Sequence, residues 1–178
     1  MENIKVSMRY AKAIYPVVKQ QADIKIFMQD LAIVVDSIKQ SRDLRLLMNS
    51  PIVSSSKKVN VFQELFGNKI DPLTTSFMLL LISKGRERYI NGIAHCVKLL
   101  YNKENNIVEC QVVSAFELNE DIKSKVEHFL NDITQSNTIV NYTIDSTIIG
   151  GVLLKIDDKV YDISIKSRLK GLKNKLMK

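Results

Sequence analysis

The sequence predicts an α+β protein: an N-terminal six-helix bundle over residues 1–104, then a small mixed α/β domain over residues 105–178. Two observations predict it. Through the first 104 residues apolar side chains recur every three or four positions between helix start and stop signals, with no alternating run among them. At Asn105-Asn106 the period drops to two, the mark of a half-buried strand. Charge is also partitioned: 16 Lys and Arg against 9 Asp and Glu in residues 1–104, 4 against 10 in 105–165, and 6 against none in 166–178. With 46% hydrophobic residues in 178, the chain can bury a core without cross-links.

The first helix spans about Ile4 to Gln20, with Tyr10, Ala13, Ile14, Val17 and Val18 at helical spacing. Pro16 inside it removes a backbone hydrogen bond at a cost of about 3 kcal/mol, which predicts a kink or a fresh start near Tyr15. Asp23 caps a second helix whose Phe27, Leu31, Val34, Val35 and Ile38 form one stripe reaching Ser41. A short third helix, "DLRLLMN", stops ahead of Ser50-Pro51 because a residue before proline avoids helical dihedrals. The fourth rises from the serines of "SSSKK", carries Val59, Phe62, Leu65 and Phe66, and ends at Gly67. Asp71 followed by Pro72 opens the fifth, Gly85 closes it, and a sixth runs from about Arg88 to Lys103.

Beyond the change of period, "IVECQVV" sets Val108, Cys110 and Val112 on one face of a strand. Asn119 caps a helix with Glu120 and Asp121 in its positive first turn and Ile122, Val126, Phe129, Leu130 and Ile133 inward. "TIVNYTID", "IIGGVLLKI" and "KVYDISI" follow as strands, the last two joined across Asp157-Asp158, and a final helix carries Ile165, Leu169, Leu172 and Leu176 on one stripe.

Catalytic chemistry finds no support. His95 and His128 lie on different helices outside any metal-ligand spacing; Gly150 and Gly151 lack the lysine, hydroxyl and further glycine of a phosphate loop and read as a bulge or close backbone approach. No metal or cofactor is expected. Cys96 and Cys110, without CxxC spacing, read as buried reduced thiols of a cytoplasmic-type compartment. "FMLLLI", Phe77 to Ile82, falls far below the ~20 residues that span a bilayer, and "MENIKVSMRY" has no signal-peptide stretch, so a soluble, unprocessed chain is expected. The net charge of +7 suits an acidic partner or nucleic acid, but an acidic segment between two basic ones is unlike a continuous phosphate-tracking stripe.

The helical half carries surplus apolar surface. Six consecutive apolar residues encircle a helix at about 100° each, so "FMLLLI" is either central in its bundle or covered by another chain. In the first helix Ala11, Ala13, Ile14 and Val17 offer small and branched groups over a broad arc beside Tyr10, and a groove between two such helices accepts a partner's amphipathic helix.

The segments "RYAKA" (Arg9 to Ala13), "SPI" (Ser50 to Ile52) with Lys57 after it, "SKGR" (Ser83 to Arg86), "VVSAFEL" (Val112 to Leu118), "DSTIIGG" (Asp145 to Gly151) and "VYDISIKSRLKGL" (Val160 to Leu172) together resemble the delta subunit of F-type ATP synthases, the family of the mitochondrial oligomycin sensitivity-conferring protein. The resemblance runs nearly end to end. It implies a non-catalytic stator subunit on the cytoplasmic face of the bacterial inner membrane, membrane-associated only through its complex. The N-terminal domain would hold N-terminal helices of the alpha subunits with its first and fifth helices, and the C-terminal domain would hold the b subunits. Carried across by position, Tyr10, Ala11, Ala13 and Ile14 line the first-helix side, and Phe77, Leu80, Leu81 and Lys84 the fifth; Pro16 departs from the family pattern and puts contacts by Val17 and Val18 in question. Gly150 and Gly151 match the family's close-packed glycine site, and Asp162, Ser164 and Arg168 its closing motif, with Ser164 capping the last helix. The basic faces of that helix suit acidic residues of the b subunits, or are a solvated surface complementing the helix's own dipole. The other readings are a basic nucleic-acid-binding module and a small enzyme with an unfamiliar site.

Overall fold

A computed structural model describes residues 4–145, 150–156 and 159–162. The chain divides into two compact units, Met1–Tyr101 and Asn102–Lys178, and the described residues hold seven α-helices and four strands, so the α+β class stands.

In the first unit, α1 (Ile4–Gln21), α2 (Ile24–Gln40), α3 (Arg42–Asn49), α4 (Ser55–Phe66), α5 (Pro72–Ser83) and α6 (Ile90–Glu104) follow one another, with a 3₁₀ turn at Glu87–Tyr89 before α6, whose last residues pass beyond the unit's end. The starts are chemical. Asp23 accepts from the Lys25 N–H at 2.8 Å, Ser41 from the Leu44 N–H at 3.3 Å, and Asp71 from the Leu73 N–H at 2.8 Å, each satisfying a donor that the first turn leaves open.

The helix breakers act in different ways. α1 continues through Pro16, which sits on the exposed side where the carbonyl it leaves unbonded can turn to water. Gly67 ends α4 in the right-handed region, φ −54°, and not as a left-handed cap. Gly85 is the left-handed one, at φ +62°. There the Arg86 N–H reaches the Leu81 carbonyl at 2.8 Å and the Gly85 N–H that of Ile82 at 3.0 Å, a closed C-terminal cap that needs no side chain at residue 85.

One apolar core joins all six helices, from Ala11 and Val18 of α1 through Phe27, Leu31, Val34 and Val35 of α2 to Ile90, Ile93 and Val97 of α6. Two buried polar links fasten it. Asp30 of α2 accepts from the Asp71 N–H (2.8 Å) and the Thr74 hydroxyl (2.9 Å), placing a carboxylate at the positive start of α5. Lys58 of α4 pairs with Glu87 of the 3₁₀ turn and donates to the Met48 carbonyl in the last turn of α3 at 3.1 Å; both charged side chains are buried.

In the second unit, Asn106 takes a left-handed conformation, φ +51°, and this turn is where the helical period gives way to β1 (Ile107–Ser114). α7 (Glu120–Thr134), capped by Asn119 accepting from the Ile122 N–H at 3.0 Å, connects β1 to β2 (Asn137–Ile144), which pairs parallel to β1. β3 (Val152–Ile156) pairs antiparallel on the other side of β1, and β4 (Lys159–Asp162) antiparallel to β3, giving the order β2-β1-β3-β4. The register brings Cys110 level with Val140 and Ile156, and Val112 level with Tyr142 and Leu154, so one sheet face is a continuous apolar surface against which Leu130 packs. The expected Asp157-Asp158 turn and the final helix with Ile165, Leu169, Leu172 and Leu176 lie outside the described residues.

Candidate functional site

α1 buries Ser7, Ala11 and Val18 and leaves beside them a half-covered apolar flank. At about 100° per residue, Val6, Tyr10, Ala13, Ile14 and Val17 succeed one another around that flank. Tyr10 and Ile14 pack their inner edges on the core while Ala13 and Val17 face out. Arg9 lies over the Tyr10 ring, 5.7 Å from its centroid, holding the aromatic in place and adding positive charge.

α5 shows why "FMLLLI" cannot be assigned to core or surface from periodicity. Phe77, Met78, Leu81 and Ile82 are buried, Leu79 half-buried, and Leu80 alone of the six faces out, 48% exposed. Four of the six thus belong to the core, and the outer flank of α5 is built by Leu73, Leu80 and Lys84. Phe77 and Phe27 meet at 5.8 Å between ring centroids, a tilted pair inside the core.

The residues expected to line a docking surface therefore divide. Tyr10, Ala13, Ile14, Leu80 and Lys84 have surface to offer. Ala11, Phe77 and Leu81 do not: Ala11 and Leu81 are 0% exposed, and all three belong to the core beneath that surface. Leu73 joins the flank unannounced, because helical spacing alone does not say which side of an encircled helix is free.

Gly150 is buried and Gly151 exposed, in a bend leading into β3. Gly151 has φ +85°, a conformation that L side chains rarely adopt, so the backbone itself requires glycine there. Arg168 and Ser164 lie outside the described residues.

α7 carries the largest departure from expectation. Leu130 is buried and Val126 half-buried, but Ile122, Phe129 and Ile133 are 39%, 45% and 45% exposed. The four residues Ile122, Val126, Phe129 and Ile133 are spaced 4-3-4, the seam with which one helix packs along another. Toward the sheet, Tyr142 sits under α7: its hydroxyl donates to Glu127 at 3.2 Å, and the Lys123 ammonium lies 5.7 Å from its ring centroid. Burial first, and the Glu127 carboxylate second, push the Tyr142 phenol up to about 12.

The described residues assemble no reaction chemistry. His95 and His128 are exposed on α6 and α7, Cys96 and Cys110 are buried thiols outside any disulfide, and no three His, Cys, Asp or Glu side chains among the described residues could share a metal ion. No described helix is long and apolar enough to cross a membrane. Among the described residues the molecule offers apolar helix flanks edged with positive charge on α1 and α5, and a partly exposed apolar seam on α7.

Comparison with known proteins gives a consistent answer. The family model for the ATP synthase delta (OSCP) subunit matches residues 6–176. The ATP synthase subunit delta of Desulforamulus reducens is 32% identical over 172 residues, spanning 97% of this chain and 95% of that one. The same subunit of Clostridioides difficile is 30% identical over 172 residues, spanning 96% and 95%. Among solved structures, a chain in the cryo-EM structure of the Toxoplasma gondii mitochondrial ATP synthase hexamer superposes with a TM-score of 0.70 over 97% of each chain; at 24% identity this speaks for the fold.

Proposed function

The chain belongs to the ATP synthase delta (OSCP) subunit family, and on that premise we propose that it is the non-catalytic stator subunit of a proton-translocating F-type ATP synthase, joining the alpha subunits of the catalytic head to the b subunits of the peripheral stalk. The observation that carries this is the near end-to-end family match over residues 6–176. The subunit acts from the cytoplasmic face of the bacterial membrane, peripheral and held there by its partners.

The domain of residues 1–104, a six-helix bundle, takes the head. N-terminal helices of the alpha subunits lay their apolar faces on the α1 flank of Tyr10, Ala13 and Ile14 and on the α5 flank of Leu80, while Lys84 meets acidic side chains at the edge. Residues 105–178 take the stalk. A helix of the b subunit packs along Ile122, Val126, Phe129 and Ile133 of α7, filling the seam with side chains at matching 4-3 spacing, and Gly150, Gly151 and Arg168 contribute to the same attachment.

The work done is mechanical. Rotation of the central shaft drags on the head, and the subunit must resist that torque without reacting. Several helix-in-groove attachments linked through one chain keep each other at high effective concentration, so an attachment that opens under load closes again before the others let go. A buried apolar anchor gives about 1.5–3 kcal/mol, which makes Leu80 a sensitive test. Replacing Leu80→Asp should reduce affinity for a peptide from the alpha N-terminus at least tenfold, about 1.4 kcal/mol, with helical circular dichroism unchanged. An unaltered affinity removes α5 from the contact. Failure of the chain to co-purify stoichiometrically with the synthase from native membranes would remove the stator role itself.

A further inference from the structure

The second unit's sheet treats its two edges differently. β4, at one edge, is 4 residues long and begins and ends on charged residues, Lys159 and Asp162; short length and charge both keep an edge from pairing with another chain. β2, at the other edge, has neither safeguard. Its 8 residues, NTIVNYTI, include no charge, proline or glycine, and they pair one to one with β1 without a bulge. Two hydrogen bonds fix which way its main chain points: the Asn137 N–H donates to the Asn106 carbonyl at 3.0 Å and the Asp145 N–H to the Ser114 carbonyl at 2.8 Å. With the register unbroken between them, Ile139, Asn141 and Thr143 also turn their peptide groups toward β1, and Thr138, Val140, Tyr142 and Ile144 turn theirs outward. At Thr138 the outward N–H is taken by the Asn131 side chain of α7 at 3.3 Å. Past that point the N–H groups of Val140, Tyr142 and Ile144 meet no acceptor among the described residues.

We propose that the β2 edge takes an extended segment of a partner polypeptide as an added strand, a segment uncharged where it pairs and alternating β-branched apolar with small polar side chains. Main-chain chemistry selects the extended form: a helix satisfies its N–H and C=O groups internally and has none to offer a row of outward amides, whereas a strand offers one of each at every second residue. From Thr138 to Ile144 the row runs about 20 Å, room for about six residues. The neighbours select the side chains. On the α7 side of the sheet the added strand lies beside Val140, Tyr142 and Ile144, the last 60% exposed, which suits valine-like groups; on the other side it lies beside Ile139, Asn141 and Thr143, which suits threonine-like ones. A second copy is the poorer occupant, because pairing β2 with itself about a two-fold axis sets Glu127, which accepts from the Tyr142 hydroxyl, on both sides of one junction. The edge is also apart from the α7 seam given to the b subunit: Phe129 lies about 160° around the helix from Glu127.

The test uses the full-length chain and two fluorescein-labelled peptides of about nine residues that alternate valine and threonine between terminal lysines; in the second, prolines replace two adjacent central residues and so remove a donor from each edge. Anisotropy should show the first binding at least about tenfold more tightly, with affinity kept in about 0.5 M salt because no ion pair carries it. Hydrogen exchange should give an alternating signature: on adding the first peptide, the amides of Val140, Tyr142 and Ile144 slow at least about tenfold, while those of Ile139, Asn141 and Thr143, already bonded to β1, change little. Ile144→Pro, which deletes an outward N–H at an exposed position, should weaken binding about tenfold or more with circular dichroism unchanged. Phe129→Ser should leave binding unaltered, so that failure here and failure of the α7 seam are told apart. Equal affinity for the two peptides, slowing without the alternation, or outward amides already protected in the free monomer would each overturn the proposal. So would sedimentation as a dimer in which those same amides are protected, since a second copy would then hold the edge.

Discussion

The two units treat their apolar surface differently. In the first, a single core reaches every helix, and the buried charges of Asp30, Lys58 and Glu87 all have partners. Its exposed apolar side chains, Leu80 and Val17 among them, stand on a closed fold and can be changed without opening it. In the second, α7 gives Leu130 and Val126 to the sheet and leaves Ile122, Phe129 and Ile133 in solvent. Binding and stability are therefore separable in the first unit, whereas in the second a helix is held to its sheet by only part of its apolar stripe.

Four measurements probe that contrast. The largest effect is expected from Glu87→Ala, which strands the buried Lys58 ammonium with the Met48 carbonyl as its remaining partner; urea unfolding followed by circular dichroism should show a loss of about 3–5 kcal/mol. A loss under about 1 kcal/mol would mean that water reaches the pair and that the first unit is not closed around it. Next come two neighbours on α5. Leu81→Ala, in the core, should cost about 2–5 kcal/mol, while Leu80→Ala should stay within about 1 kcal/mol and appear in partner affinity instead. Similar losses for the two would erase the distinction between core and flank.

Smaller again is Phe129→Ser on α7, expected to change stability by about 0.5 kcal/mol or less yet weaken capture of a C-terminal fragment of the b subunit at least tenfold. Full retention of capture would shift the stalk attachment off this seam. The smallest effect is in pH. Because the folded Tyr142 phenol titrates at about 12 against an ordinary 10, its contribution is complete below about 10 and is lost as pH rises through 12, the unfolded chain ionising first. Phenolate absorbance should show a step near 12 that Tyr142→Phe removes and Glu127→Gln moves lower.

Much of the fold is legible in the sequence because helix starts are written in short polar side chains. Asp23, Asp71 with Pro72, and Asn119 each mark their helix to the residue. Stops are less legible: Gly67 and Gly85 look alike in sequence, and only the second adopts the left-handed conformation that a glycine permits. Pro16 reads as a kink or a fresh start; α1 makes no fresh start there, and on the exposed side the carbonyl left unbonded can turn to water. Of the residues that the resemblance points to, Tyr10, Ala13, Ile14, Leu80 and Lys84 have exposed surface; Phe77 and Leu81 are buried, which a fully apolar helix does not announce, and Ala11 is buried on the inner side of α1. α7 misleads in the opposite sense. A clean apolar stripe predicts burial, yet a stripe wider than the sheet can cover leaves its far edge bare. The resemblance singles out Lys57 after "SPI", which is exposed; the buried partner of Glu87 is its neighbour Lys58, and pairing across 29 residues leaves no periodic trace.

That pairing bears on how the sequence can drift. Since losing either member strands the other, positions 58 and 87 cannot wander independently through descent. A lineage exchanging the pair for two well-fitted oily residues would end no worse off, but each one-step intermediate is crippled. Two sites on different secondary elements should thus be inherited as a single letter, and their joint replacement should be rare, abrupt and complete.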